Sequence, residues 1–410
     1  MRTKDIGVGL LVLTLGLASA VGRTAQDEAA PYLGKWAITL QNTGTTFNAC
    51  WVNVFRKPDG ALDASLLWRW GSVTPVKSVK VVDGALEIVR TEEYQVAKKR
   101  VKMDCTYRMK AADGKLEGSV KATDGKTYTF TGVPAVEKVD VAGTWNLGVL
   151  ERLGRKEYRK LVLKREGTSV TGTLEGEGLA VPISNAKLDG NRLTFAYTWR
   201  TAVNATAEIQ GDRISGTMGV RVPFSGERER KTGETIALFN VKDLTGWHAR
   251  DPKEATPRWE IKDGYMTPLK GASDIVSDQK FEDFKLHVEY CLPEKGGNSG
   301  VYLRGRYEVQ AFDDYGKGLD PHGCGAIYSR ISPTQNVTKP VGEWNTFDIT
   351  LVGRWVTVAH NGVTIVDNQH IDGITGGALD TDENAPGPIT LQAHGQAVRF
   401  RKADVTPLLK

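Results

Sequence analysis

The 410-residue sequence lacks the short motifs that mark several large enzyme classes. It contains no glycine-rich dinucleotide fingerprint, no phosphate-binding P-loop and no G-x-S-x-G elbow, which argues against nucleotide binding and serine hydrolysis. No arginine-rich helix or nucleic-acid motif is present, so nucleic acid is not expected as a partner. Helical periodicity is almost absent, which predicts an all-β protein.

Long hydrophobic runs are also lacking, apart from one at the start of the chain. Arg2 and Lys4 precede a short apolar run over residues 6–17, and small residues follow at 18–20 (Ala-Ser-Ala). This pattern is typical of a signal peptide, and the run is too short to span a bilayer comfortably. We predict a signal peptide over residues 1–20, a periplasmic or extracellular location, and no transmembrane segment.

Cysteine is scarce, with only four residues, and no C-x-x-C pair occurs. A zinc ribbon or a thioredoxin-like redox site is therefore not supported. Because export permits disulfides, Cys50 and Cys105 are expected to form a bridge within the first domain. Cys291 and Cys324 either form a second bridge or remain two buried free thiols.

The chain consists instead of short alternating runs separated by glycine, asparagine and aspartate turns, the pattern of β-sandwiches and barrels. Two weakly similar units fill the front half, module 1 over residues 31–136 and module 2 over residues 139–228. A charged connector leads to a carboxy-terminal domain over residues 234–408. The net charge of +5 is concentrated in the front half. The modules could therefore hold polysaccharide, although solvated strand faces explain this charge equally well.

Four runs in the carboxy-terminal domain separate an apolar face from a polar one, because side chains two apart on a strand point the same way. The runs are Leu286–Glu289, Val301–Arg304, Glu308–Phe312 and Leu391–His394. Their polar faces contain no lysine and suit the hydroxyl groups of a sugar. The main polar residues are Glu289, Arg304, Glu308, Gln310, Gln392 and His394. If the four runs share one curved sheet, these groups line a sugar-sized cleft.

Five ordered motifs in the same domain carry a family resemblance. They are Gly297–Arg304, Tyr307–Gln310, Gly325–Tyr328, Gly342–Asn345, and Leu391–Gly395 with Val398–Arg401. Together they resemble the 3-keto-disaccharide hydrolase family over roughly residues 234–408. The resemblance implies a concanavalin-like jelly-roll sandwich whose concave sheet binds sugar. The expected fold is therefore all-β, with this sandwich preceded by two small related barrel or sandwich modules.

The resemblance also implies an exported enzyme that cleaves glycosides already oxidised to a ketone at C3. The ketone acidifies the hydrogen on C2, so that a base can remove it, the C1 substituent leaves by β-elimination, and hydration follows. In this scheme His394 or Glu289 is the base, Arg304 stabilises the enolate, and Glu308 protonates the leaving group.

Further residues are expected to bind a 3-keto-sugar or oligosaccharide substrate, through hydroxyl contacts or ring stacking. They are Asn298, Ser299, Gln310, Gln392, Tyr328 and Trp344. Two alternatives stay open. The domain is either a non-catalytic lectin-like protein that binds carbohydrate on the same face, or a conventional glycoside hydrolase with Glu289 and Glu308 as paired carboxylates.

Metal binding is not assigned from the sequence. No histidine pair has the spacing typical of a metal site. The oxygen-rich loops at residues 313–314 and 380–384 offer ligands for Ca²⁺, but solvated turns are the simpler interpretation. No cofactor is predicted, and a divalent metal ion in the groove stays an open option.

Overall fold

A computed structural model describes residues 28–409 of the chain apart from 42, 97–98, 124, 151–155 and 177. The predicted signal peptide lies outside the described residues. Within the described part, no helix is long and apolar enough to cross a membrane. Apart from a short 3-10 helix at Ala30–Tyr32, strands dominate the structure, and the all-β prediction is confirmed.

Module 1 is one antiparallel sheet whose strands curl around a common core. Its strands are Gly34–Leu40 (β1), Ala49–Arg56 (β2), Leu62–Leu67 (β3), Thr74–Pro75 (β4), Ser78–Val82 (β5), Ala85–Val96 (β6), Lys99–Ala112 (β7), Lys115–Lys121 (β8) and Thr127–Pro134 (β9). The sheet order is β4-β3-β2-β1-β9-β8-β7-β6-β5, so the first and last long strands, β1 and β9, pair in its middle. Alternate residues such as Val52, Leu86 and Tyr107 face the core.

Module 2 is a closed antiparallel barrel in which each strand pairs with the next and β17 pairs back with β10. Its strands are Gly143–Leu150 (β10), Lys156–Glu166 (β11), Ser169–Gly176 (β12), Leu179–Asp189 (β13), Arg192–Thr198 (β14), Ala202–Gln210 (β15), Arg213–Met218 (β16) and Val222–Arg228 (β17). Closure pairs both edges of each of the eight described strands. Its core contains Trp145, Leu161 and Phe195.

Both modules begin with the same local structure. In module 1 the indole nitrogen of Trp36 donates to the carbonyl of Tyr32 over 2.8 Å. In module 2 the indole nitrogen of Trp145 donates to the carbonyl of Val141 over 3.0 Å. Each tryptophan is buried and lies four residues after its acceptor. This shared opening explains why the segments Gly34–Trp36 and Gly143–Trp145 are similar in sequence, each with a glycine two residues before the tryptophan.

The carboxy-terminal domain is a two-sheet sandwich. Its strands are Lys231–Thr232 (β18), Ile236–Ala237 (β19), Trp247–Ala249 (β20), Trp259–Lys262 (β21), Tyr265–Pro268 (β22), Ile275–Phe281 (β23), Phe284–Cys291 (β24), Asn298–Leu303 (β25), Tyr307–Phe312 (β26), Trp344–Val352 (β27), Trp355–His360 (β28), Val363–His370 (β29), Gly387–Leu391 (β30) and Arg399–Leu409 (β31). The larger sheet has the order β21-β22-β31-β24-β27-β28-β29, with β18 and β19 also paired to β31. The smaller sheet has the order β20-β23-β30-β25-β26.

One hydrophobic core lies between these two sheets. The smaller sheet contributes residues such as Val301 and Val309, and the larger sheet contributes residues such as Val288 and Phe347, all fully buried. Because each strand alternates, the residues next to these point away from the core. The polar residues of β25 and β26 therefore face the outside of the smaller sheet.

The predicted disulfide between Cys50 and Cys105 is wrong. Both residues carry free, buried thiols, and their strands β2 and β7 are separated in the sheet by β1, β9 and β8. Burial raises the pKa of Cys50 to about 12 and that of Cys105 to about 11, so neither forms a reactive thiolate near neutral pH. Cys291 and Cys324 are also buried free thiols, which is one of the two alternatives left open for that pair.

Candidate active site

A cleft with a volume of about 360 Å³ lies over the outer face of the smaller sheet. Its lining includes six of the residues that the sequence pattern selected: Asn298, Glu308, Gln310, Tyr328, Gln392 and His394. A cleft of this size is in the range that binds a small organic ligand. Strands β25 and β26 and the end of β30 therefore bring together the polar faces of three of the four predicted runs.

The hairpin of β25 and β26 sets the floor of the cleft. In its register Tyr302 lies opposite Glu308, and Gly300 lies opposite Gln310. A Cβ atom on Gly300 would approach the Oε1 atom of Glu308 to 2.4 Å, a separation that real Cβ atoms do not show. A larger residue at position 300 would therefore displace the Glu308 side chain, which occupies the space above the glycine.

Glu308 is the main ionisable group of this floor and is only 4% exposed. Burial raises its pKa to about 8, and the negative charge of Asp274 acts in the same direction, while hydrogen bonds with Tyr302 and Gln392 oppose the shift. At neutral pH the carboxyl group is therefore mostly protonated. A neutral carboxylic acid in a cleft can donate a proton, which an ordinary ionised glutamate cannot.

Tyr302 connects this acid to the loop that borders the cleft. Its hydroxyl oxygen lies 3.0 Å from the Oε2 atom of Glu308 and 2.8 Å from the carbonyl oxygen of Gly376, and the amide nitrogen of Gln392 donates to it over 3.3 Å. The single phenol proton cannot fully serve both the carbonyl and an ionised carboxylate. A protonated Glu308, which brings its own proton to the pair, fits this network.

Two amide side chains leave hydrogen-bond capacity inside the cleft. The side-chain oxygens of Gln310 and Gln392 are buried, and neither has a hydrogen-bond partner within the part of the chain that the structure describes. Gln310 uses its amide nitrogen to donate to the side-chain oxygen of Asn298 over 3.2 Å. Buried acceptors without partners are costly, so a ligand with hydroxyl groups would stabilise them.

His394 lies at the rim of the cleft. It is exposed, and its Nδ1 atom lies 3.3 Å from the side-chain oxygen of Gln396. Tyr328 is half-buried and adds an aromatic ring to the lining. The cleft therefore combines a neutral acid in its floor, amide groups beside it and a histidine at its entrance.

Glu289 does not lie in this cleft, because its run is on β24 in the larger sheet, on the opposite side of the sandwich. There its carboxylate pairs with Arg401 and lies 3.4 Å from the Nε2 atom of His287. Although partial burial acts to raise it, the pKa of Glu289 is lowered overall by the hydrogen bonds from Arg401 and His287. The four runs do not share one sheet, and the predicted pairing of Glu289 with Glu308 is wrong.

Arg304 also lies elsewhere. It is in the turn after β25 with a φ of 52°, and this left-handed conformation ends the strand alternation. Its side chain is 2% exposed, donates to the carbonyl of Gly353 over 2.6 Å, and lines a second cavity between module 2 and the carboxy-terminal domain. The guanidinium is therefore not placed to stabilise an enolate over Glu308.

Two predicted binding residues also face away from the cleft. Ser299 points to the core side of β25, is fully buried, and donates to the backbone carbonyl of Gln392 over 2.8 Å. Trp344 is on β27 of the larger sheet, where the guanidinium of Arg401 lies 4.3 Å from the centre of its ring. Ser299 thus supports the cleft through the backbone, and Trp344 has no contact with it.

Comparison with protein families identifies the domain that carries this cleft. Residues 234–406 match the family model described as a 3-keto-alpha-glucoside-1,2-lyase-like domain. The carboxy-terminal domain belongs to this family. The resemblance seen in the sequence motifs is thereby confirmed, and the lyase-like domain is that of a carbohydrate-active enzyme.

Solved structures similar to this chain include three candidate glycosyl hydrolases from Parabacteroides distasonis. One is 32% identical in sequence, and the aligned region covers 42% of this chain and 83% of that chain, with a TM-score of 0.38. Another is 25% identical, and the aligned region covers 42% of this chain and 98% of that chain, with a TM-score of 0.34. No curated protein matches the chain.

Some residues of the cleft carried no signal in the sequence. Asp274 precedes β23, and both of its carboxylate oxygens are engaged, one by Arg250 over 3.1 Å and the other by the backbone amide of Ala393 over 3.0 Å. Phe47 and Trp70 come from module 1, outside the lyase-like domain. Their position depends on how module 1 docks, which no local pattern reveals.

The acidic loops considered as calcium sites make structural contacts. Asp314 is buried and accepts hydrogen bonds from the hydroxyl of Thr338 and the backbone amide of Cys324, each over 2.8 Å. Asp380 pairs with Arg306 over 2.6 Å. In the described ranges, no group of three or more histidine, cysteine, aspartate or glutamate residues is arranged to hold a metal ion.

Proposed function

We propose that the lyase-like domain cleaves 3-keto-glycosides by removing the C2 proton and eliminating the C1 substituent, followed by hydration. Family membership supports action on a glycosidic bond. The observation that carries the finer proposal is Glu308, a buried acid whose pKa is raised to about 8, beside amide oxygens that lack partners among the described residues. A neutral acid suits an alkoxide leaving group, which needs a proton as it departs.

The proposed reaction has three balanced steps. A base, for which His394 at the rim is our candidate, takes the hydrogen from C2, and the electron pair forms an enolate with the C3 oxygen. The enolate then restores the C3 carbonyl, a double bond forms between C1 and C2, and the C1–oxygen bond breaks. Glu308 gives its proton to the departing oxygen, and water later adds its hydroxyl to C1 and a proton to C2.

Conventional hydrolysis by two carboxylates has weaker support. The second carboxylate in the cleft is Asp274, and both of its oxygens already accept hydrogen bonds, from Arg250 and from the backbone of Ala393. A nucleophile or a base for water needs a free oxygen aimed at the sugar. The side chain of Asp274 is better explained as a support for the loop of Ala393 and as a charge that keeps Glu308 protonated.

The proposal is tested with a chromogenic 3-keto-glucoside and its unoxidised parent. We expect release from the ketone only, with a loss of at least about 100-fold in kcat for Glu308→Gln and for His394→Ala. Glu289→Gln is the matched control, because Glu289 lies on the other side of the sandwich, and its rate should stay within about twofold of the wild type. Equal release from both compounds would instead establish ordinary hydrolysis.

A further inference from the structure

Module 1 is firmly docked on the lyase-like domain. Strand β2 is buried on both faces over its first half, because Cys50 and Val52 face the module core while Ala49 and Trp51 face outward. These outward residues form a separate apolar cluster with Leu67 of module 1 and with Ile374 and Ala378 of the lyase-like domain. A solvent-facing strand would be polar on that side, so this face is built for a permanent contact.

The docked edge of module 1 reaches the loop that borders the cleft. The backbone amide of Gly377 donates to the carbonyl of Arg69 over 2.9 Å. A Cβ atom on Gly376 would lie 2.3 Å from the carbonyl oxygen of Gly71, so only glycine permits this approach. Gly376 also accepts the hydrogen bond from Tyr302. The loop of Gly376 and Gly377 therefore connects the edge of module 1 to the hydrogen bonds around Glu308.

Two aromatic side chains of module 1 form part of the cleft wall. Phe47 and Trp70 pack edge to face, with ring centres 5.6 Å apart and planes at 86°. The guanidinium of Arg69 lies 4.9 Å from the centre of the Trp70 ring, and that of Arg250 lies 3.9 Å from the centre of the Phe47 ring. Trp70 nevertheless remains 55% exposed. Its ring is held in place and still presents a large apolar surface to the cleft.

The chemistry of the cleft is divided between the two domains. The acid and the amide groups, Glu308, Gln310 and Gln392, all come from the lyase-like domain, while the exposed indole comes from module 1. A fixed aromatic surface binds the apolar face of a ring through its area and cannot do acid–base chemistry. The reacting ring must lie over Glu308, so the aromatic surface is available to a neighbouring part of the same substrate.

We propose that Trp70, supported by Phe47, forms a subsite for a second sugar ring on the leaving-group side of the cleaved bond. Module 1 then makes the enzyme selective for 3-keto-disaccharides over simple alkyl 3-keto-glycosides. This inference rests on the proposed function of the cleft, but it assigns a binding role to a residue that lies outside the family match, which begins at residue 234.

The kinetic test uses the full chain with a 3-keto-disaccharide and with methyl 3-keto-glucoside. Trp70→Ala should lower kcat/KM for the disaccharide about tenfold, mainly through KM, and leave the methyl glycoside within about twofold. Trp70→Phe should retain most of the selectivity. Tyr158→Ala is the control, since Tyr158 is a 77% exposed aromatic residue of module 2 outside this cleft. Equal effects on both substrates, or none on either, overturn the subsite.

A binding experiment separates this inference from the proposed reaction. Calorimetric titration with the unoxidised disaccharide requires no chemistry. If the wild type turns over no 3-keto-glycoside but Trp70→Ala still weakens disaccharide binding about tenfold, the proposed reaction fails and the subsite stands. If turnover occurs but Trp70→Ala binds and cleaves the disaccharide as the wild type does, the subsite fails and the reaction stands.

Discussion

Replacement of Glu308 by glutamine should change how the stability of the lyase-like domain depends on pH. The pKa of this carboxyl group is near its ordinary value of 4.5 in the unfolded chain and about 8 in the folded protein. Between these two pH values the unfolded state releases a proton that the native state keeps, so stability falls as pH rises through this window. Below about pH 4.5 both states are protonated and the effect vanishes.

The size of the effect follows from the shift. Each pKa unit corresponds to 1.36 kcal/mol, so the wild type should lose about 3 kcal/mol of unfolding free energy between pH 5 and pH 8 through this one group. Glutamine fills the same space and does not titrate. Glu308→Gln should therefore gain about 3 kcal/mol relative to the wild type over this range. For a domain of this size, the difference in melting temperature between Glu308→Gln and the wild type should increase by about 6–12 °C from pH 5 to pH 8.

Differential scanning calorimetry at several pH values measures this difference, and the transition of the lyase-like domain is the relevant one. Glu289→Gln serves as the control, because the pKa of Glu289 is lowered in the folded protein. The contribution of Glu289 to the unfolding free energy is therefore complete above about pH 4.5 and is lost only as the pH falls further. The melting curves of that variant and the wild type should stay parallel between pH 5 and pH 8. Parallel curves for Glu308→Gln as well would refute the assignment of a neutral, buried Glu308.

Three further predictions concern packing and cysteine chemistry. Gly300→Ala should displace the Glu308 carboxyl group and lower kcat at least about tenfold with the fold retained, as measured by turnover and circular dichroism; unchanged turnover would contradict the close contact. Trp51→Ala should cost about 3–5 kcal/mol at the interface of module 1, seen as an earlier, separate melting transition, whereas unshifted melting would show that Trp51 does not stabilise this interface. Protein unfolded without reductant should titrate four free thiols, and only two titratable thiols would show that one pair of cysteines forms a disulfide.

Much of the cleft follows from strand periodicity. The alternation predicts that Glu308 and Gln310 on β26, and Gln392 after β30, lie on polar faces, because residues two apart on a strand point the same way. That rule is local, and it held within each of these strands. It failed at Arg304, where a left-handed backbone conformation ends the strand one residue earlier than the pattern indicated.

The remaining features depend on contacts between distant parts of the chain. The run at Glu289 has the same alternation as that at Glu308, but β24 pairs with β27 and β31 in the other sheet, and alternation alone does not decide sheet membership. The elevated pKa of Glu308 needs burial that only the docked loop of Gly376 and the neighbouring strands provide. Trp70 reaches the cleft from more than 200 residues upstream of Glu308, through the docking of module 1.

Turnover of a 3-keto-glucoside in deuterium oxide tests the central claim most directly. Elimination removes the hydrogen from C2, and hydration replaces it from the solvent, so the released 3-keto-sugar should carry deuterium at C2. The 3-keto-sugar product, incubated in parallel in the same deuterium oxide buffer without enzyme, corrects for spontaneous exchange next to the ketone. Product that retains its original hydrogen at C2 would show that the bond is cleaved without proton abstraction and would contradict the account given for Glu308 and His394.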